Sequence, residues 1–212
     1  MKELFDKVSA DCSRNVTKTY STSFSLATRM LSKNIREDIY GGSIEKRSNF
    51  VKEIVEAIRS RVTNNFIVGL RFSQWKQHDF DAKLAQTPDE LEKVIMPPVN
   101  AGLDYLHSSM RRFWESEFPD SKENLAYWTK KISDITTIGV GSVGLDSDFI
   151  DMMAPANPTS IDKAIEDISS NKYELIAVGR ALISDPNWVI KMKEGRFDEL
   201  IPYTKESLLT LY

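Results

Sequence analysis

Two short segments combine the residue types that can grip an anion. The apolar run Ile138-Gly139-Val140 leads into Gly141-Ser142-Val143, and Leu175-Ile176-Ala177-Val178 leads into Gly179-Arg180. A glycine has no Cβ, so a ligand can approach its backbone closely. Free N–H groups at such a turn, with the start of the next helix, form an anion site. Arg180 adds a planar cation whose forked donors suit phosphate, and Ser142 adds a hydroxyl. The plainer alternative is a pair of ordinary glycine turns, with Ser142 doing no more than capping the turn that follows.

The elements that would position these residues can be read from periodicity. An unbroken apolar run marks a parallel strand, because both of its faces are covered. Such runs lead up to Val140 and Val178, and residues 66–72 and 103–107 read as further strands. Helices alternate with them. Ser43 can cap a helix with apolar positions Ile44, Phe50, Val51, Ile54, Val55 and Ile58. Thr87-Pro88-Asp89-Glu90 is a capping-box start with proline at the first helical position. Residues 121–132 and 160–168 read as further helices, and short ones over 188–193 and 205–211 close the chain. The alternation predicts an α/β fold with four parallel strands in chain order, ending near Phe72, His107, Val140 and Gly179. In eight-stranded α/β barrels the last two strand–helix loops are the usual phosphate grip. Residues 1–39 read instead as two helices, with stripes at Leu4, Val8, Cys12 and Val16 and at Phe24, Ala27, Met30 and Leu31, and Gly41-Gly42 forms a structural turn after them.

Composition excludes several classes of function. The chain has 212 residues, 41% of them hydrophobic, and a formal charge of −3. That acidity argues against a nucleic-acid footprint, which would be basic and clustered. No apolar run approaches the roughly 20 residues that span a bilayer. Residues 1–7 are rich in charge and lack a signal-peptide core, so the expected location is the cytoplasm. One cysteine, Cys12, rules out an internal disulfide and any zinc cluster built on cysteines. Of the two histidines, His78 lies in a polar stretch and reads as solvated. His107 and Trp114 lie at a strand end that could face a ligand, but each reads first as core packing or, for the histidine, a satisfied buried group.

From Tyr40 to Tyr212 the chain resembles the Old Yellow Enzyme family of FMN-dependent NADH:flavin oxidoreductases, specifically the carboxyl-terminal half of its TIM barrel. The resemblance rests on Tyr40-Gly41-Gly42-Ser43-Ile44-Glu45-Lys46-Arg47, Val68-Gly69-Leu70-Arg71-Phe72-Ser73 and Leu103-Asp104-Tyr105-Leu106-His107. Residues 138–143 and Ala177-Val178-Gly179-Arg180-Ala181-Leu182-Ile183-Ser184-Asp185-Pro186 complete it. It implies that hydride passes from NAD(P)H through FMN to an electron-poor alkene or similar small-molecule acceptor. By position, Arg71 matches the arginine at the flavin's pyrimidine edge, where it would stabilise negative charge near N1. Its alternative is a surface ion pair. Gly141, Ser142, Gly179 and Arg180 match the loops that hold the FMN phosphate. No residue is assigned a catalytic role, and no metal is implied.

Residues 1–40 resemble a different family. Tyr20-Ser21-Thr22-Ser23-Phe24-Ser25-Leu26-Ala27 and Ile35-Arg36-Glu37-Asp38-Ile39-Tyr40 are similar to the amino terminus of squalene/phytoene synthases, where Ser21 and Ser23 would lie beside a prenyl diphosphate. The aspartate-rich magnesium motif of that family does not follow, and Asp38 alone cannot replace it, so the two serines read as a helix cap. The expected organisation is therefore a helical segment over 1–40 joined to a partial FMN-binding barrel over 41–212. The resemblance places the substrate-polarising donors in the half of the barrel ahead of residue 40, so impaired activity is expected. The unpaired edges of a half barrel favour homo-oligomers. A prenyl-transferring synthase fragment and an inactive fusion fragment are the rival readings.

Overall fold

Ser43 opens the first helix of the structure, a computed structural model that describes residues 34–75, 81–148 and 154–209. Its hydroxyl accepts the Lys46 N–H at 3.4 Å, and α1 runs over Ile44–Arg59. Most of the expected amino-terminal helical segment lies outside the described residues, as do Cys12, Ser21, Ser23 and His78. Its end, residues 34–39, is described and is not helical. There Asn34 Oδ1 accepts the Arg36 N–H and Asp38 Oδ1 accepts the Tyr40 N–H, both at 3.1 Å. Such short side chains offer the backbone a turn in place of a helix.

The strand β1 (Gly69–Phe72) is followed by α2 (Pro88–Asn100). The expected capping box is present with one displacement. Thr87 Oγ1 accepts the Glu90 N–H at 3.2 Å, but Glu90 Oε2 reaches back to the N–H of Gln86, at 2.7 Å. After β2 (Tyr105–Ser109), α3 spans Leu125–Ser133 and so starts later than the sequence predicts. Ser121 Oγ accepts the Glu123 N–H at 2.9 Å and holds a local turn, leaving Asn124 to cap the helix through the Tyr127 N–H at 2.9 Å. Then come β3 (Thr136–Val140), α4 (Asp162–Ser169), β4 (Leu175–Ile176), α5 (Arg180–Ser184) and α6 (Trp188–Glu194). Residues Lys205–Leu209 form a 3-10 turn where a short helix was predicted.

The four strands form one parallel sheet in the order β1-β2-β3-β4, as predicted. Alternate residues of a strand face opposite sides. Leu70, Leu106 and Thr137 turn towards the helices, and Ser108 confirms that side by donating to Thr129 of α3 at 2.9 Å. Val51, Leu91, Ile95, Leu106 and Leu125, each at most 1% exposed, form the centre of this core. Burying one such side chain contributes about 1.5–3 kcal/mol. The opposite face carries Arg71, His107, Ile138 and Leu175, which are successive register partners in one row across the sheet. A second, smaller core of Leu145, Ala156, Ala181, Trp188 and Tyr203 sits beneath the loops after β3 and β4. Paired backbone bonds between Ala156 and Tyr203, 2.9 Å each, lock it. It is this satellite core that holds Arg180 in place.

Candidate cofactor site at the strand ends

Ser142 and Arg180, 38 residues apart in sequence, meet at the carboxyl ends of β3 and β4. Arg180 Nη2 donates to Ser142 Oγ at 3.4 Å and to the Ser147 carbonyl, while Nη1 donates to the Asp148 carbonyl at 3.2 Å. Its guanidinium lies 5.4 Å from the centroid of the fully buried Tyr203 ring. Burial draws the Arg180 guanidinium below its ordinary value, against the pull of Tyr203, Asp148 and Asp146, but an arginine remains a cation under any working condition. Ser142 itself has φ +51° and donates its hydroxyl to the Arg111 carbonyl at 3.0 Å. This ties the loop after β3 to the end of β2.

The two glycines do different work. A Cβ on Gly141 would sit 2.8 Å from the Met110 carbonyl oxygen, so close packing of β2 against β3 already requires a glycine there. A Cβ on Gly179 would meet nothing within 4 Å among the described residues. Gly179 is exposed, so among these residues its backbone is bare beside Arg180.

Arg71 stands at the same end of the sheet. It is in register with His107 and donates through Nη2 to Ser109 Oγ at 3.1 Å. Lost hydration draws its guanidinium down as well. The imidazole of His107 is pushed to about 4, first by burial and then by the nearby Arg71 charge. His107 was expected to be a satisfied core histidine. Instead its Nε2 is buried with no hydrogen-bond partner among the described residues; its neighbour in the row, Arg71, turns one donor, Nη2, to Ser109. Trp114 also departs from expectation. It is 39% exposed and packs edge-on to Phe113 at 5.2 Å, outside the core.

Sequence reasoning missed the pair that braces this end. Arg111 and Arg112 each place Nη2 3.1 Å from Asp148 Oδ2. Two adjacent arginines just past an apolar run were a usable signal, whereas Asp148 had none. Next to them an open cleft of about 150 Å³ lies between the loops after β1 and β2. Lys83 bonds Glu117 there at 3.0 Å, and burial raises the Glu117 carboxyl. Among the described residues no group of three or more His, Cys, Asp or Glu could hold a metal ion. No helix among them is long and apolar enough to cross a membrane.

These residues fit a phosphorylated flavin on the structure's own terms. The backbone of Gly179 is unobstructed, Arg180 supplies a fixed cation, and the Ser147 and Tyr203 hydroxyls are buried beside it with no partner among the described residues. Arg71 lies at the same end of the sheet.

Comparison with known proteins agrees. Residues 26–199 match the NADH:flavin oxidoreductase / NADH oxidase family. The match opens ahead of the join read near Tyr40 and so runs through residues 26–40. The NADH oxidase of Thermoanaerobacter brockii is 31% identical over 175 residues, which cover 79% of this chain and 24% of that protein. The NADPH dehydrogenase of Clostridium acetobutylicum is 26% identical over 177 residues, covering 81% and 47%. The chain thus spans a quarter to a half of the length of these relatives. The structure of histamine dehydrogenase from Rhizobium sp. 4-9 superposes with a TM-score of 0.56 at 23% identity, over 82% of this chain and 24% of that one, and shows a shared fold. With four-fifths of its length matched, the chain belongs to the NADH:flavin oxidoreductase / NADH oxidase family.

Proposed function

We propose that the chain forms the phosphate-gripping half of an FMN-dependent NAD(P)H oxidoreductase. The observation that carries this is Arg180, stacked on Tyr203, bonded to Ser142 and set beside the bare backbone of Gly179. A bound FMN would supply two-electron hydride exchange between NAD(P)H and an electron-poor alkene or similar acceptor. The chain's own part is to hold and orient. Gly179, Arg180, Ser142 and the turn at Gly141 would hold the phosphate. Arg71 would keep positive charge at the pyrimidine edge, where negative charge gathers on reduction.

The test is a titration of the purified chain with FMN and with riboflavin, followed by flavin absorbance near 450 nm, roughly the band of the oxidised cofactor. Binding of FMN with clear preference over riboflavin supports the reading. No binding of either overturns it.

Three finer points belong to the same proposal. The 212-residue chain assayed alone should reduce alkenes some 10²–10⁴-fold below its relatives, the usual contribution of a positioned proton donor. Among the described residues β1 and β4 are both sheet edges, and pairing β4 of one copy with β1 of another would complete eight parallel strands from two copies. Light scattering at dimer mass supports that assembly, and a monomer at all concentrations removes it. The expected setting is the cytoplasm, with small-molecule substrates and no nucleic-acid partner. The likeness of residues 1–40 to squalene/phytoene synthases rests on Tyr20–Ala27, Leu31 and Ile35–Tyr40. It predicts weak prenyl diphosphate binding lost in Ser21→Ala, and absence of binding would retire it.

A further inference from the structure

We propose that His107 is a flavin-contacting residue, giving the ring's pyrimidine edge a hydrogen bond through Nε2, and that Ser109 positions Arg71 for the same edge. The inference rests on the FMN reading above and adds two residues to it.

Three observations converge. First, Ser108 bonds Thr129 of α3 and so faces the helices, which puts its neighbours His107 and Ser109 on the opposite face with Arg71. Second, Arg71 and His107 are register partners, and Ser109 accepts from Arg71 Nη2 at 3.1 Å. A guanidinium anchored at one nitrogen keeps its other donors aimed in a fixed direction. Third, Nε2 of His107 is buried with no partner among the described residues. A buried polar atom left unpaired costs free energy that a partner would recover. Protonation does not readily relieve it, because burial, and after it the adjacent Arg71 charge, disfavours imidazolium. A neutral imidazole can present Nε2 as donor or acceptor according to its tautomer. The pyrimidine edge of a flavin carries carbonyl oxygens and one N–H, so it suits either form. One cation and one neutral hydrogen-bonding group on adjacent strands thus divide the edge between them.

The experiment uses the full chain and both FMN and riboflavin. His107→Leu should weaken the two equally, by about 3- to 10-fold, the value of one hydrogen bond. Equal loss marks a contact with the ring and not with the phosphate. His107→Gln, which keeps a polar group at the same reach, should restore most of the affinity. Ser109→Ala should leave folding intact and move the flavin reduction potential downward, because Arg71 no longer holds its charge at the ring. In the wild-type chain, which has only two histidines, the ¹⁵N resonance of His107 Nε2 should shift when riboflavin is added. An unmoved Nε2 resonance while riboflavin binds overturns the proposal and leaves the FMN reading standing, whatever the folding of the variants. Unchanged affinity in a folded His107→Leu does the same. Failure of the wild-type chain to bind either flavin would instead defeat the FMN reading itself.

Discussion

The two ends of the candidate site treat charge in opposite ways. Around the loop after β3, the cations are tied in. Arg111 and Arg112, arriving from the loop after β2, share Asp148 Oδ2, and Arg180 after β4 is spent on two carbonyls and a hydroxyl. On β1 and β2 themselves, among the described residues, Arg71 has one side-chain bond, to Ser109, and His107 stands neutral with Nε2 unbonded. The first end is braced before any ligand arrives. The second keeps polar atoms in reserve. A fixed positive frame suits a phosphate of constant charge, while an uncommitted pair suits a ring whose charge changes between redox states.

The largest expected effect comes from breaking the braced end. Arg180→Ala should weaken FMN by on the order of 1.5–3 kcal/mol, the contribution of charged hydrogen bonds, and leave riboflavin almost unaffected. Fluorescence titration of both ligands checks it, and an unchanged preference for FMN would remove Arg180 from the phosphate's surroundings.

Acid should report on the reserved end. The folded imidazole of His107 titrates near 4, below its ordinary value of 6.5. Between those values the unfolded chain holds a proton that the folded chain lacks. Stability should therefore be full above pH 6.5 and fall as pH drops towards 4, by about 1–2 kcal/mol once solvent screening is allowed for. Urea midpoints at pH 7 and pH 4.5 measure this. His107→Gln should flatten that part of the profile, and an unchanged slope would place the acid sensitivity elsewhere.

Asp148→Asn sharpens the contrast by removing the carboxylate that Arg111 and Arg112 share, while Arg112 keeps its pair with Glu115. The loss of one negative charge beside the loop should tighten FMN by about 5-fold at low salt, from roughly 1 kcal/mol of Coulomb energy near the surface. The gain should fade as salt is added. Weaker binding would mean that the carboxylate organises the arginines more than it neutralises them. The smallest effect is a control: Thr87→Ala removes the cap of α2, costs about 1 kcal/mol and leaves flavin affinity unchanged. A loss of affinity would show that α2 does more than cover the sheet.

Much of this was legible in the chain. The four strands and the caps at Ser43 and Thr87 depend on neighbouring residues alone and appear in the expected order, although β2 runs on to Ser109 and β4 stops at Ile176, short of the expected end near Gly179. The meeting of Ser142 with Arg180 followed from the shared end of parallel strands. What was not legible depends on partners distant in sequence. Asp148 acquires meaning only from arginines 36 and 37 positions earlier. His107 has Arg71 beside it only through register, and its Nε2 lacks the expected bond among the described residues. Gly141 carried a signal that turned out to have two sources, since the Met110 backbone demands a glycine there with or without a ligand. The start of α3 moved because a single hydroxyl, Ser121, settled a turn first.

The sheet's pairing shortens towards its last strand. Five residue pairs join β2 to β3, and two join β3 to β4. In amide hydrogen exchange this makes a gradient: the β2–β3 amides should open only with global unfolding, and those of Leu175–Gly179 by a cheaper, local route. Arg180 sits at the end of that weak ladder. Release of a phosphate held there would then be timed by fraying of β4 and not by the strength of any single bond. Saturating FMN should slow exchange at Ala177 and Gly179 well before it slows exchange at Ile138.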